Sequence, residues 1–96
     1  MYARVNIGAV KPEKVDDFIK WTKENLVPSI KKHKGFKGYY GMGDYKTGKG
    51  LIISLWDTEA NMMDYESSIP KENPATSQFS TGQAGMLEHY VVSVKA

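Results

Sequence analysis

Apolar periodicity changes along this 96-residue chain in the order strand, helix, strand, strand, helix, strand, and few folds accept that order. From Tyr2 to Val10 the positions alternate, with Ala3, Val5 and Ile7 on one side and Tyr2, Arg4 and Asn6 on the other. A helix then opens at Pro12, carries Glu13, Asp16 and Asp17 early and Lys31, Lys32, His33 and Lys34 late, and stops at Gly35. Its apolar stripe is Val15, Phe18, Ile19, Leu26, Val27 and Ile30. Pro28 lies inside that stripe and removes one backbone hydrogen bond, to the carbonyl of Glu24, so a kink or a restarted last turn is expected.

Phe36 to Tyr45 reads as a strand whose glycines 38, 41 and 43 suit a bulge, and the turn Lys46-Thr47-Gly48-Lys49-Gly50 returns the chain into the strand Leu51 to Trp56. Thr58 or Asp57 caps a second helix reaching about Ile69, with Ala60, Met62, Met63, Tyr65 and Ile69 available for packing. The stretch Pro70 to Gly85 is rich in Pro, Ser, Thr and Gly and long for a connection, which suggests a lid or partner-contacting loop. Within it Asn73-Pro74 could start a short turn ending near Phe79. Leu87 to Lys95 closes the chain as a fourth strand.

Right-handed crossovers put both helices of such a unit on one side, giving the α+β class: a ferredoxin-like βαββαβ fold with a four-stranded antiparallel sheet, here as one domain over residues 1–96. Placing the aliphatic sets Ala3, Val5, Ile7 and Leu51, Ile53, Leu55 against the helices leaves Tyr2, Arg4, Asn6, Ile52, Ser54 and Trp56 on the far face. That face also gains Tyr39 or Tyr40, and either His89, Val91 and Ser93 or Tyr90, Val92 and Val94. It is too apolar for water, so pairing with a second copy into a homodimer is expected.

Thirteen basic against eleven acidic residues, mixed in sign along the chain, give no case for nucleic acid or a membrane surface. The absence of cysteine removes disulfides, thiolate metal sites and thiol catalysis. No apolar run approaches twenty residues and no signal peptide is visible, so a cytoplasmic location is the expectation. The two histidines, His33 and His89, have no carboxylate at ligand spacing, which gives a metal site little support.

Strand-borne Asn6, the long helix ending in Lys34-Gly35-Phe36-Lys37-Gly38, and the junction Leu55-Trp56-Asp57-Thr58-Glu59-Ala60 together resemble the dimeric α+β barrel superfamily, in particular its antibiotic-biosynthesis-monooxygenase-like branch. The likeness covers nearly the whole chain. It implies a small-molecule pocket between sheet and helices in each subunit, and, for some members, oxidation of phenolic or quinol-like substrates by O₂ without flavin, metal or other cofactor. A substrate that forms a stabilised carbanion can itself reduce O₂, so the protein need supply only an apolar enclosure, a proton acceptor and donors for an oxyanion. The resemblance also extends to members with no known activity, so a non-catalytic ligand-binding or stress-response barrel is the rival reading.

The candidate catalytic residues are Asn6, whose amide can donate to an oxyanion, Trp56, able to stack on an aromatic ligand, and His89, a base titrating near neutrality. Each has a structural alternative: a hydrogen bond across strands, core packing, and a solvated strand histidine. Arg4, Tyr39, Tyr40, Ser54, Tyr65 and Tyr90 are candidates for binding substrate, Arg4 through an anionic group or, equally, as a rim salt bridge. His33 reads as a dipole-complementing surface group, and Met62, Met63 and Tyr65 as helix packing. The haem-degrading branch, by the same resemblance, needs a tryptophan in the second helix and a histidine just beyond it. Tyr65 stands nearest that tryptophan's place and no histidine occurs between Asp57 and Glu88, which disfavours haem degradation. Lys37-Gly38-Tyr39-Tyr40-Gly41-Met42 lies on the second strand, whereas an RNA-recognition aromatic motif belongs on the third. A heavy-metal carrier of this topology would need paired cysteines.

Overall fold

The computed structural model describes residues 1–69, Phe79 and residues 85–96. Four strands, β1 (Tyr2–Ala9), β2 (Phe36–Gly43), β3 (Lys49–Trp56) and β4 (Met86–Val91), form one antiparallel sheet in the order β2-β3-β1-β4. This is the expected ferredoxin-like α+β arrangement. The first crossover holds a 3₁₀ turn, Pro12–Lys14, and then α1 (Val15–Trp21), a π-helical segment Thr22–Leu26, and α2 (Val27–Ile30). The second holds α3 (Glu59–Ser68).

Pro28 finds its accommodation in that π segment. The Val27 amide reaches back five residues to the Thr22 carbonyl, widening the helix where a proline ring would otherwise press on the carbonyl four residues before it. A final α turn then carries Ile30 into the core. The helix ends at Ile30, short of the expected stop at Gly35; Gly35 takes the left-handed conformation at φ 84° in the turn that follows, and its carbonyl accepts from the Asp57 amide at 2.9 Å. A methyl group there would stand 2.6 Å from Asn61 Nδ2 and collide with the Asp57 carboxylate, so the end of the first crossover packs directly on the start of the second. Thr58 caps α3 by accepting from the Asn61 amide at 3.1 Å.

The sheet faces the helices with the side opposite to the one expected from its aliphatic pattern. Trp56, Ile30, Met62 and Tyr65 form the buried cluster, with Tyr2, Phe36, Tyr39 and Ile69 packed around it. In register, Tyr2 faces Trp56, Arg4 faces Ser54 and Asn6 faces Ile52, so this polar and aromatic set lies under the helices. Ala3, Val5, Ile7, Leu51, Ile53 and Leu55 occupy the other side, which no element of the described chain covers. Alternation along a strand reveals two sets but not which set the helices take; large rings and a helix-borne carboxylate decided it here.

A one-residue register shift between Phe36 and Gly38 lets both Phe36 and Tyr39 lie on the helix side, and puts Tyr40 and Met42 on the bare side. β4 ends at Val91, not near Lys95, because β1 offers no partner beyond its own start; the last backbone bond runs from Val92 to the Met1 carbonyl. Its register puts Leu87, His89 and Val91 on the helix side and Met86, Glu88 and Tyr90 on the bare side. Ala60 and Met63, expected as packing residues of α3, are exposed. The expected lid over residues 70–85 and the turn beginning at Asn73 lie outside the described residues, except that Phe79 packs edge-on to Phe18 at 5.4 Å and accepts from the Lys11 amide. Among the described residues no helix is long and apolar enough to cross a membrane.

Replacing Gly35 by alanine is expected to cost about 1–3 kcal/mol, since the left-handed backbone and the Asp57–Asn61 contact both oppose a side chain. Chemical denaturation measures it; an unchanged midpoint would contradict this account of the crossover junction.

Candidate functional site

On the helix side the sheet presents four rows. The outermost is closed: Trp56 has no exposed surface, its ring stacks on Tyr65 with centroids 4.9 Å apart, Phe36 meets it edge-on at 5.8 Å, and its Nε1 donates to Ser54 Oγ at 3.0 Å. Ser54 is thereby occupied by the indole. Trp56 and Ser54, both expected at a site, lie in packed interior and form the wall behind it.

The next row holds ionisable groups. Arg4 and His89 are register partners on adjacent strands, and α3 brings Glu66 above both. Glu66 Oε1 accepts from Arg4 Nε at 3.2 Å and lies 2.9 Å from His89 Nε2. The Arg4 guanidinium carbon also sits 5.7 Å from the centre of the Tyr65 ring. Arg4 is almost enclosed, with 12% of its side chain exposed, whereas His89 keeps 36% and remains accessible. Burial alone would raise the Glu66 pKa, but hydrogen bonds from His89 and Arg4, and their charges, outweigh it and hold the carboxyl below its ordinary value of 4.5. A histidine oriented by a carboxylate beside a guanidinium is a set of groups able to take up a proton and to stabilise the anion left behind.

Tyr39 lies in the same row, opposite Ser54. Its hydroxyl is buried and has no hydrogen-bond partner among the described residues, and burial, with Tyr65 adding to it, pushes its pKa up to about 12. Burial likewise raises Tyr65, against the opposing charge of Arg4. Asn6 stands one row further along β1, exposed, between Ile52 and Leu87. Thus Arg4, Asn6, Tyr39, Ser54, Trp56, Tyr65 and His89 share one side of the sheet, while Tyr40 and Tyr90 lie on the other, where the Tyr90 hydroxyl donates to Glu88.

Glu66 is the residue that sequence reasoning missed. The signal was present: it lies four residues after Met62 and beside Tyr65, hence on the packed side of the helix, where a carboxylate needs a cationic partner. His33, read as a surface group, is half-buried with its ring edge-on to Tyr65 at 5.0 Å.

The fold recurs in solved structures. A protein described as an antibiotic biosynthesis monooxygenase matches with a TM-score of 0.71 at 18% identity, covering 98% of this chain and 100% of its own. A candidate antibiotic biosynthesis monooxygenase from Deinococcus radiodurans matches with a TM-score of 0.74 at 14% identity, over 100% and 96% of the two chains. The haem-degrader MhuD of Mycobacterium tuberculosis, solved with two haems in its active site, matches with a TM-score of 0.72 at 13% identity, over 100% and 99%. No protein-family model and no curated protein matches the sequence. The chain therefore has the fold of the antibiotic-biosynthesis-monooxygenase-like proteins, and at these identities the likeness speaks for the fold alone.

Two consequences can be measured. Because the Glu66 pKa is lowered in the folded state, its contribution to stability is complete above about 4.5 and is lost as pH falls through the folded value. Acid unfolding of Glu66→Gln should lack that component; a profile parallel to wild type would show that the ion pairs contribute nothing. Tyr39→Phe removes a buried hydroxyl that has no partner among the described residues and should gain about 1 kcal/mol at neutral pH. It should also abolish the loss of stability that wild type shows as pH rises from 10.0 toward about 12, since only the unfolded phenol ionises in that window. A less stable Phe variant would mean that the hydroxyl has a partner.

Proposed function

We propose that residues 1–96 act as one domain of a homodimeric, cytoplasmic, cofactor-independent monooxygenase whose substrate is a small aromatic, quinol-like molecule bound between sheet and helices. The observation that carries this reading is the Arg4–Glu66–His89 cluster on the inner side of the sheet, with Glu66 2.9 Å from the histidine and 3.2 Å from the arginine. His89 accepts the proton of an activated C–H or O–H, Glu66 holds the resulting imidazolium, and Arg4 and the Asn6 amide stabilise the oxyanion. The resulting electron-rich anion reduces O₂ directly; overall, a CH₂ group and O₂ give a carbonyl and water. Trp56, Tyr65 and Tyr39 supply the apolar wall that keeps bulk water from the anion. The shared fold of solved monooxygenases supports the reading.

The homodimer part rests on the uncovered face. Tyr40, Met42, Met86 and Tyr90 are each more than half exposed there, around the aliphatic centre of β1 and β3. That makes a contiguous apolar surface of the kind that a second copy covers.

One observation favours the non-catalytic rival, a ligand-binding or stress-response barrel. The Trp56–Tyr65–Ile30–Met62 cluster fills the layer between sheet and helices with side chains at one end, as a purely structural protein would.

Oxygen uptake with a panel of anthrones and hydroquinones distinguishes them. Turnover that falls at least about 100-fold in His89→Gln is expected for the enzyme. Thermal stabilisation by the same compounds without oxygen consumption would overturn the monooxygenase reading in favour of a binding protein.

A further inference from the structure

Arg4 spends only one of its donors on Glu66. The guanidinium carries five N–H groups, and the bond to Glu66 uses Nε, so its two terminal nitrogens have no hydrogen-bond partner among the described residues. His89 shows the same asymmetry: its Nε2 points to Glu66, and its Nδ1 has no partner among them. One carboxylate oxygen, Glu66 Oε1, thus engages a single nitrogen of each neighbour, Nε of Arg4 and Nε2 of His89. Arg4 and His89 are register partners on adjacent strands, so those nitrogens belong to side chains about 5 Å apart at their origins.

We propose that the site selects molecules bearing an acidic hydroxyl, a phenol or an enol, and binds them as the anion. The oxygen lies on the terminal nitrogens of Arg4, and its proton passes to His89 Nδ1. This rests on the proposed location of the site, and it adds the ionisation state of the substrate and the atom that accepts the proton. In the step the substrate O–H bond breaks and an Nδ1–H bond forms. The electron pair stays on oxygen as a phenolate paired with Arg4, and nothing is oxidised or reduced.

Glu66 is the positioning residue. Ionised, it can only accept, so His89 must hold its hydrogen on Nε2, which makes Nδ1 the basic atom in the neutral ring. The charges agree with the choice of ligand: Arg4 and Glu66 cancel, and a phenolate then balances the imidazolium it creates.

Two measurements on the intact protein test this without using oxygen chemistry. Long-range ¹H–¹⁵N NMR of neutral His89 should show the Nε2–H tautomer in wild type and a mixture in Glu66→Gln; an Nδ1–H tautomer in wild type would overturn the proposal. The second probe is 4-nitrophenol, whose anion absorbs in the visible while the neutral form does not. At a pH below its free pKa, bound probe should be at least tenfold more ionised than free probe, and both Arg4→Gln and His89→Gln should abolish the excess. The proposal is overturned by a probe that does not bind, that binds as the neutral phenol, or that is as ionised on both variants as on wild type. Each of those results leaves the oxygen-uptake experiment to decide the monooxygenase reading separately.

Discussion

Trp56 is enclosed on every side: Tyr65 stacks on one face, Phe36 meets it edge-on, Ile30 and Met62 pack against it, and Ser54 takes its indole hydrogen. Burying one such ring removes some 150–250 Å² from water, more than any aliphatic position of the sheet can offer. Trp56 therefore determines which side of the sheet the helices occupy. Strand alternation carries the decision along the molecule. Every second residue of β1 and β3, including the enclosed Arg4 and the exposed Asn6, faces the helix side, and Ala3, Val5, Ile7, Leu51, Ile53 and Leu55 face the other way, although Ala3 and Val5 are themselves buried.

Much of this was legible in the sequence. Period-two and helical patterns, the turn at Gly35, the Thr58 cap and the hairpin around Gly48 gave the element order, and a single handedness rule gave the topology, although the first helix ends at Ile30 and not at Gly35. The sidedness was not legible. Reading aliphatic residues as the inner set treats helix and sheet as joined by generic greasiness, whereas this layer is built from stacked rings and a carboxylate bridging to Arg4. The site suffered from the same omission: Arg4 and His89 were recognisable as polar groups on strands, but they form a unit only through Glu66, on an element whose apolar residues alone had been weighed. Tyr40 lies on the other face because parity in β2 depends on a bulge at Lys37 that no propensity fixes to one residue, and Tyr90 does so because β4 pairs with β1 in the register that sets His89 beside Arg4.

Division of labour between the two faces follows from their chemistry. The inner side combines rings with ionisable groups satisfied by one another, which allows a small molecule to be held and polarised. The outer side has the opposite character. In the row across β4, β1, β3 and β2 the residues are Glu88, Val5, Ile53 and Tyr40, and in the row beside it Met86, Ile7, Leu51 and Met42. Near the hairpin, Met42, Gly43, Lys49, Gly50 and Leu51 line a shallow depression of about 300 Å³ on this surface. A surface with a single carboxylate at its centre, itself bonded to Tyr90, is suited to another protein surface and poorly suited to water.

The claim on which the account most depends is that a second copy covers the aliphatic face. Static light scattering on the purified chain, coupled to size exclusion, tests it most directly. The account predicts about twice the monomer mass of 10.8 kDa at micromolar concentration, and a return to the monomer in Ile53→Asp with the helix-side packing retained. A wild-type mass near 10.8 kDa at working concentrations would contradict it.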